Sequence, residues 1–262
     1  MTLNLSPANR RYGRIPDRHD SRDLTMSEAP VFRLRASQLP PKVDLTEWCG
    51  PIKDQGEEGS CTGHAYSSIR EFLARKFQNQ SPILSPQFLY AEELLLEGTY
   101  PEDSGAQSRT GCLILNRYGC CEEASYPYQA GNIQKPSLAQ EENAKKWIGG
   151  AYHRITNLAD ILSCLASGYP CSVGFTVYQS FESQQTANSG VMPMPHKGEM
   201  ILGGHEVFAV GYDQSTETVL IQNSWGASWG IGGRFKMPFD FISNPAYTSD
   251  IWLCHLGRPW RK

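Results

Sequence analysis

The feature that most constrains the fold is a change of apolar period near residue 150. Ala65, Ile69, Phe72, Leu73 and Phe77 recur at three- and four-residue spacing, which fits a helix opening at Ser60-Cys61 with one buried face. Ser85-Pro86 reads as a second helix start, a capping serine followed by proline at the first helical position. Phe88, Leu89, Leu94, Leu95 and Leu96 are its expected core face. A third helical stretch runs from 105 to about 118, stopped by Gly119. Beyond 150 the pattern shortens. Segments 171–178, 206–212, 218–222 and 234–237 are β-branched or aromatic and are bounded by Gly, Asn or Asp, with one helix at 157–166 between them. A helical half followed by a strand-rich half predicts an α+β protein of two lobes, and a cleft between lobes is a natural substrate site.

Upstream of this pattern the chain is different in kind. Residues 1–42 are rich in Arg, Asp and Pro and carry neither period, which marks an extended arm rather than a core segment. We assign 1–38 to the arm and 39–262 to the folded domain, its helical lobe at about 43–150 and its strand-rich lobe at about 151–255. The arm is expected either to pack along the cleft and restrain activity or to lie as a tail or strap on the lobe surface.

The net charge of −3 with mixed signs gives no footprint for nucleic acid. No apolar run reaches the ~18 residues of a membrane span or forms a signal peptide. The expectation is a soluble protein without nucleic-acid or membrane partners, cytoplasmic or secreted by a route lacking a visible signal. The eight cysteines show no CxxC spacing or histidine pair that would suit zinc, so all except Cys61 read as buried thiols.

Cys61 stands apart because of its position. A nucleophilic cysteine must be a thiolate, and its pKa falls at a helix N-terminus or beside an imidazolium. Cys61 opens the first helix, so it needs only a histidine near in space. A cysteine at a helix start is also a common structural choice, and position alone does not decide.

The surrounding motifs do. The segment Gln55-Gly56-Glu57-Glu58-Gly59-Ser60-Cys61 resembles the active-site loop of the papain family of cysteine peptidases, particularly bacterial members with a short pro-segment. Gly203-Gly204-His205-Glu206-Val207-Phe208-Ala209-Val210-Gly211-Tyr212 is similar to that family's histidine strand. Ile221-Gln222-Asn223-Ser224-Trp225-Gly226 with Ser228-Trp229-Gly230 is similar to its asparagine motif, and Ser85-Pro86-Gln87-Phe88-Leu89 and Tyr126-Pro127-Tyr128 also follow the family order. The resemblance spans about 43 to 255. It implies a papain-like two-lobe fold, with a β-barrel-like second lobe, and a peptide or protein substrate. Cys61 is then the nucleophile, His205 its acid and base, and Asn223 the residue that orients the imidazole. Gln55 and the Cys61 amide would form the oxyanion hole, and Trp225 would shield the His–Asn bond. His205 follows Cys61 by 144 residues, inside the family's range of about 130–150, whereas Asn223 follows by 162. An extended loop near 213–218 is expected to absorb part of that excess.

Several positions depart from the family pattern. Glu58 stands where a disulfide cysteine is usual, so that bridge cannot form. Thr62 replaces an aromatic residue, and His64, one turn into the helix, is expected to pack rather than react. Glu206 occupies a position that lines the pocket for the side chain two residues before the cleaved bond. It would favour a basic side chain there, unless it turns to solvent or pairs with an internal cation. Gly105 is the candidate for close approach to the substrate backbone, with Gly204 beside His205 also expected at the substrate. No metal or organic cofactor is implied, and oxidation of Cys61 would stop the chemistry. Other functions compatible with the same residues are deamidation or transamidation through an acyl-enzyme, and a non-catalytic binding protein on the same scaffold.

Overall fold

The structure, a computed structural model, describes residues 10–26, 29 and 38–256. The parts of the arm at 1–9, 27, 28 and 30–37 lie outside the described residues. Two lobes meet along one helix. α1 (Cys61–Gln78) is the hub, buried along most of its length and closed at its C-terminus by Asn79 in the left-handed region. α2 (Pro86–Glu97) and α3 (Ser108–Arg117) pack around it. α2 starts as its sequence dictates, with the Ser85 hydroxyl accepting from the Phe88 amide. Two expectations about the core fail at helix ends. Phe77 and Leu96 are exposed, each in the last turn of its helix, Phe77 with only one ring face stacked on Tyr169.

The second lobe is a seven-stranded antiparallel sheet. Its order is β4 (Gly149–Ile155), β9 (Thr248–Leu256), β5 (Cys171–Tyr178), β6 (Ile201–Asp213), β7 (Thr218–Gln222) and β8 (Arg234–Pro238), with β2 (Lys42–Asp44) paired to the far end of β6. β6 is thirteen residues long and carries His205 in its first half. The connection from β6 to β7 is a tight four-residue turn over 214–217, with Glu217 at φ 49°. The expected extended loop is therefore absent. The separation of His205 from Asn223 is taken up by the strands themselves, since the hairpin must run down β6 and back along β7.

Short helices α4 (Leu138–Ala144), α5 (Leu158–Ala166), α6 (Gln184–Ser189) and α7 (Phe239–Ile242) cover the sheet and close loops. α4 and α6 carry too few residues for a clear period and were not legible beforehand. No helix among the described residues is long and apolar enough to cross a membrane. Glu58 shows what replaces the missing disulfide. Its buried carboxylate accepts from Gln87 Nε2 at 3.1 Å and from the Gly131 amide at 2.8 Å, tying the active-site loop to α2 and to the loop before α4.

One further pair completes the fold. β1 (Arg14–Ile15), in the arm, runs parallel to β3 (Ala106–Gln107), and Gly13 bridges Gly204. Residues 13–15 of the arm thus lie in the cleft between the lobes.

Candidate active site

Cys61 is the first residue of α1, where the leading N–H groups of a helix have no internal acceptor and carry partial positive charge. Gly59, two residues before Cys61, packs against Gly13 of the arm, and Gly13 bridges Gly204, next to His205. α1 packs on β6, which brings the helix terminus and the histidine strand together. His205 Nε2 lies 2.8 Å from Asn223 Oδ1, which also accepts from the Ser224 amide at 2.8 Å. That bond puts the proton of a neutral imidazole on Nε2. Nδ1, buried and without a hydrogen-bond partner among the described residues, is left to exchange a proton with sulfur. The Trp225 ring stacks on His205 with centroids 4.8 Å apart and 22° between planes, covering one face of the imidazole.

Gln55 is fully buried and its amide orientation is held by the opposite lobe. Ser224 Oγ donates to Gln55 Oε1 at 2.7 Å, and the Gln55 amide donates to the Ser224 carbonyl at 2.9 Å. Nε2 is thereby turned into the cleft, where it donates to the Glu58 carbonyl at 2.9 Å and reaches the Arg11 carbonyl of the arm at 3.4 Å. His64 is buried and packed, its Nδ1 2.9 Å from the Ser60 carbonyl and its ring edge-on to Tyr128.

The arm crosses this site in contact with both walls. Arg10 pairs with Glu182 at 2.8 Å and lies over Trp225, and the Tyr12 hydroxyl donates to Glu182. Arg11 pairs with Asp103 at 2.9 Å, and the Gly13 carbonyl accepts from the Ala106 amide at 2.8 Å. Gly13 must be glycine, since a Cβ there would fall inside the Gly59 carbonyl. Gly105, at φ 79°, presses against the Gly13 carbonyl, and Gly204 flanks Gly13 and Arg14 from the other wall. Both glycines therefore touch a polypeptide backbone in the cleft.

Arg14 drops into a pocket at the other end. Its guanidinium donates to Asp250 and Ser249 and is 3 % exposed. Glu206 lies in the wall of that pocket, fully buried, accepting from Ser108 Oγ at 2.6 Å and facing the Tyr66 hydroxyl at 3.5 Å. It neither turns to solvent nor forms an ion pair within 4 Å among the described residues. Burial pushes its carboxyl up to about 8, against the opposing pull of the Arg14 charge and the Ser108 hydroxyl.

Burial also acts on Cys61 and His205 in this covered state. It pushes the Cys61 thiol up to about 12 and the His205 imidazolium down to about 4. Between those values both groups are neutral, and the thiol is a poor nucleophile.

Sequence reasoning missed Glu182, Asp103 and Asp250. Their partners in the arm lie 92 to 236 residues away in the chain and no local motif marks them. The only available signal was the density of arginines at 10, 11 and 14.

Residues 39–244 match the model of the papain family of cysteine proteases. An uncharacterised peptidase C1-like protein of Acanthamoeba polyphaga mimivirus is 34 % identical over 96 % of this chain and 88 % of its own length. The crystal structure of xylellain, a cysteine protease from Xylella fastidiosa, superimposes with a TM-score of 0.86 at 34 % identity, covering 96 % of this chain and 98 % of that one. Digestive procathepsin L 3 of the Tenebrio molitor larval midgut shares the fold, with a TM-score of 0.70 at 18 % identity over 90 % of this chain and 75 % of its own.

Proposed function

Because the chain belongs to the papain family of cysteine proteases, we propose that Cys61, His205, Asn223 and Gln55 carry its endopeptidase chemistry and that the arm holds it in check. The enzyme hydrolyses peptide bonds. In the open state the Cys61 proton moves to His205 Nδ1. The thiolate then attacks the substrate carbonyl carbon, forming a C–S bond as the π electrons move to oxygen. Gln55 Nε2 and the Cys61 amide stabilise that oxyanion, a contribution of about 3 kcal/mol per donor in comparable sites. The imidazolium protonates the departing amine, and the C–N bond breaks. Water, deprotonated by His205, attacks the acyl-enzyme carbonyl and releases the acid and the thiolate.

The single observation that carries the restraint is Gly13 wedged between the Gly59 carbonyl, two residues before Cys61, and Gly204, next to His205. The direction of the arm agrees. His205 must protonate the leaving amine, so Trp225 marks the side of the cleft under the residues that follow the cleaved bond. A substrate then runs from the Arg14 pocket towards Trp225. The arm runs from Arg10 beside Trp225 to Arg14 in the pocket, the reverse sense. A reversed chain occupies the subsites without presenting a bond in the productive geometry.

The same occupancy supports a basic preference two residues before the cleaved bond. Asp250, at the end of the pocket, supplies the charge, and Glu206, largely protonated at neutral pH, supplies a hydrogen-bonding wall.

The test is alkylation by a thiol-directed peptidyl epoxide, read by peptide mass mapping. One adduct is expected, on Cys61, forming slowly in the full chain and not at all in Cys61→Ala, with peptide cleavage lost in parallel. Labelling of another cysteine, or cleavage surviving Cys61→Ala, would refute the assignment.

A further inference from the structure

Glu182 ends the 3-10 turn Gln179–Glu182 that follows β5. Its carboxylate finds no cation in the body of the enzyme among the described residues. Its partners there are Arg10 and the Tyr12 hydroxyl, both from the arm. With the arm in place the Glu182 side chain is only 12 % exposed, and when the arm leaves, the charge stays behind without its counter-ion. Asp103 and Asp250 are different. Asp103 also accepts from the Gly59 amide and Tyr90, and Asp250 keeps Arg154 at 2.7 Å.

The surroundings of Glu182 suit one kind of group. Arg10 Cζ sits 4.3 Å from the centroid of the Trp225 ring while Nη1 bonds the carboxylate at 2.8 Å. A carboxylate beside an indole matches a guanidinium, which donates in its own plane and stacks on a ring through its face. A lysine ammonium meets only part of that geometry. Trp225 also stacks on His205, the donor to the departing amine, so this site lies under the leaving half of a substrate.

We propose that Glu182 and Trp225 form a subsite for an arginine side chain, and less strongly a lysine, in the first two residues after the cleaved bond. The proposal rests on the peptidase reading above. It gives the site two uses, docking Arg10 in the resting enzyme and selecting substrates in the open one.

The experiment uses the full chain and two peptides cut in the same tube, identical except for Arg or Ala at the first or second position after the cleaved bond. Competing substrates draw on the same open enzyme, so their rate ratio is independent of how often the arm lifts. The Arg peptide is expected to win by about ten-fold in kcat/KM. Glu182→Gln should cut that ratio to about two-fold while raising the rate on both peptides, since the arm loses an anchor. Glu182→Lys should reverse the preference towards a peptide bearing Glu at that position, a gain that misfolding cannot mimic. Equal rates in the unmodified enzyme, or a ratio untouched by either substitution, would overturn the subsite and leave the peptidase intact. Cleavage of neither peptide, with Cys61 also inert to the epoxide, would overturn the peptidase reading and the subsite with it.

Discussion

The two stretches of the arm use opposite chemistry. Residues 10–15 are cationic and lie over carboxylates, with Arg10 on Glu182, Arg11 on Asp103 and Arg14 on Asp250. Residues 17–26 present carboxylates to cations. Asp17 accepts from the Arg109 amide, Trp252 Nε1 and Arg154, and Asp23 pairs with Arg109 and Arg154. The Leu24 carbonyl accepts from the Arg154 amide at 2.7 Å, and Met26 is buried in the main core. The first stretch lies across the candidate site, while the second belongs to the body of the fold. Reversal of charge sign between them fixes the register, because sliding the arm would bring like charges together at both ends.

Three changes would break or sharpen this division. The largest effect is expected from Gly13→Ala. A methyl forced into the Gly59 carbonyl costs about 1–3 kcal/mol, so the blocking stretch should lift and peptidase activity rise about ten-fold or more. The melting temperature should fall by no more than that cost implies, about 2–4 °C per kcal/mol, since no core contact is lost. A large fall in melting temperature would erase the distinction between the two stretches.

Arg154→Ala should do the converse. It removes one partner each from Asp17, Asp23 and Asp250, and leaves the fully buried Asp17 side chain without an ion pair among the described residues, at a cost of about 2–3 kcal/mol after allowing for the partial exposure of Arg154. Calorimetry should show a clear loss of stability, with activity per folded molecule rising only a few-fold. Activation as large as that of Gly13→Ala would mean that the second stretch also governs access.

The smallest change concerns the hinge between them, where Arg14 passes Glu206. With a folded pKa of about 8 against an ordinary value near 4.5, Glu206 holds its proton more tightly in the native state. The stability it contributes is complete below about pH 4.5 and is lost progressively as the pH rises to about 8. Glu206→Gln, always neutral, should flatten the decline of melting temperature over that window and add up to about 3 kcal/mol at pH 7. A variant with an unchanged pH slope would show that the carboxyl is already ionised beside Arg14.

The sequence made the reactive centre far more legible than its restraint. Cys61, His205 and Asn223 sit in local motifs whose spacing encodes a helix terminus, a strand and a hairpin, and local patterns carry that much. The α+β order of the lobes was equally visible, because one buried face per helix and alternation along strands follow from burial alone. Phe77 and Leu96 misled for the same reason. Period reports which face points inward, not where the neighbouring elements stop. The aperiodic composition of residues 10–26 marked an arm but could not say where it lies. Its place depends on Gly13 fitting against Gly59, Gly105 and Gly204, and on Asp17 meeting Arg154, partners dispersed over more than a hundred residues. Glu206 was identified as a pocket residue, yet its protonation follows from burial, which no neighbour in sequence reveals.

The burial of Met26 has a kinetic consequence. It anchors one end of a short leash whose other end covers Cys61, so the blocking residues are present at an effective concentration near millimolar whatever the dilution of the enzyme. A substrate at micromolar concentration cannot outcompete a tethered occupant of comparable fit. Scission of the chain between Ile15 and Asp17 would remove that advantage at once, turning the plug into a free peptide that dilutes away. Crowding in more substrate would leave the enzyme asleep; one cut in the leash would wake it for good.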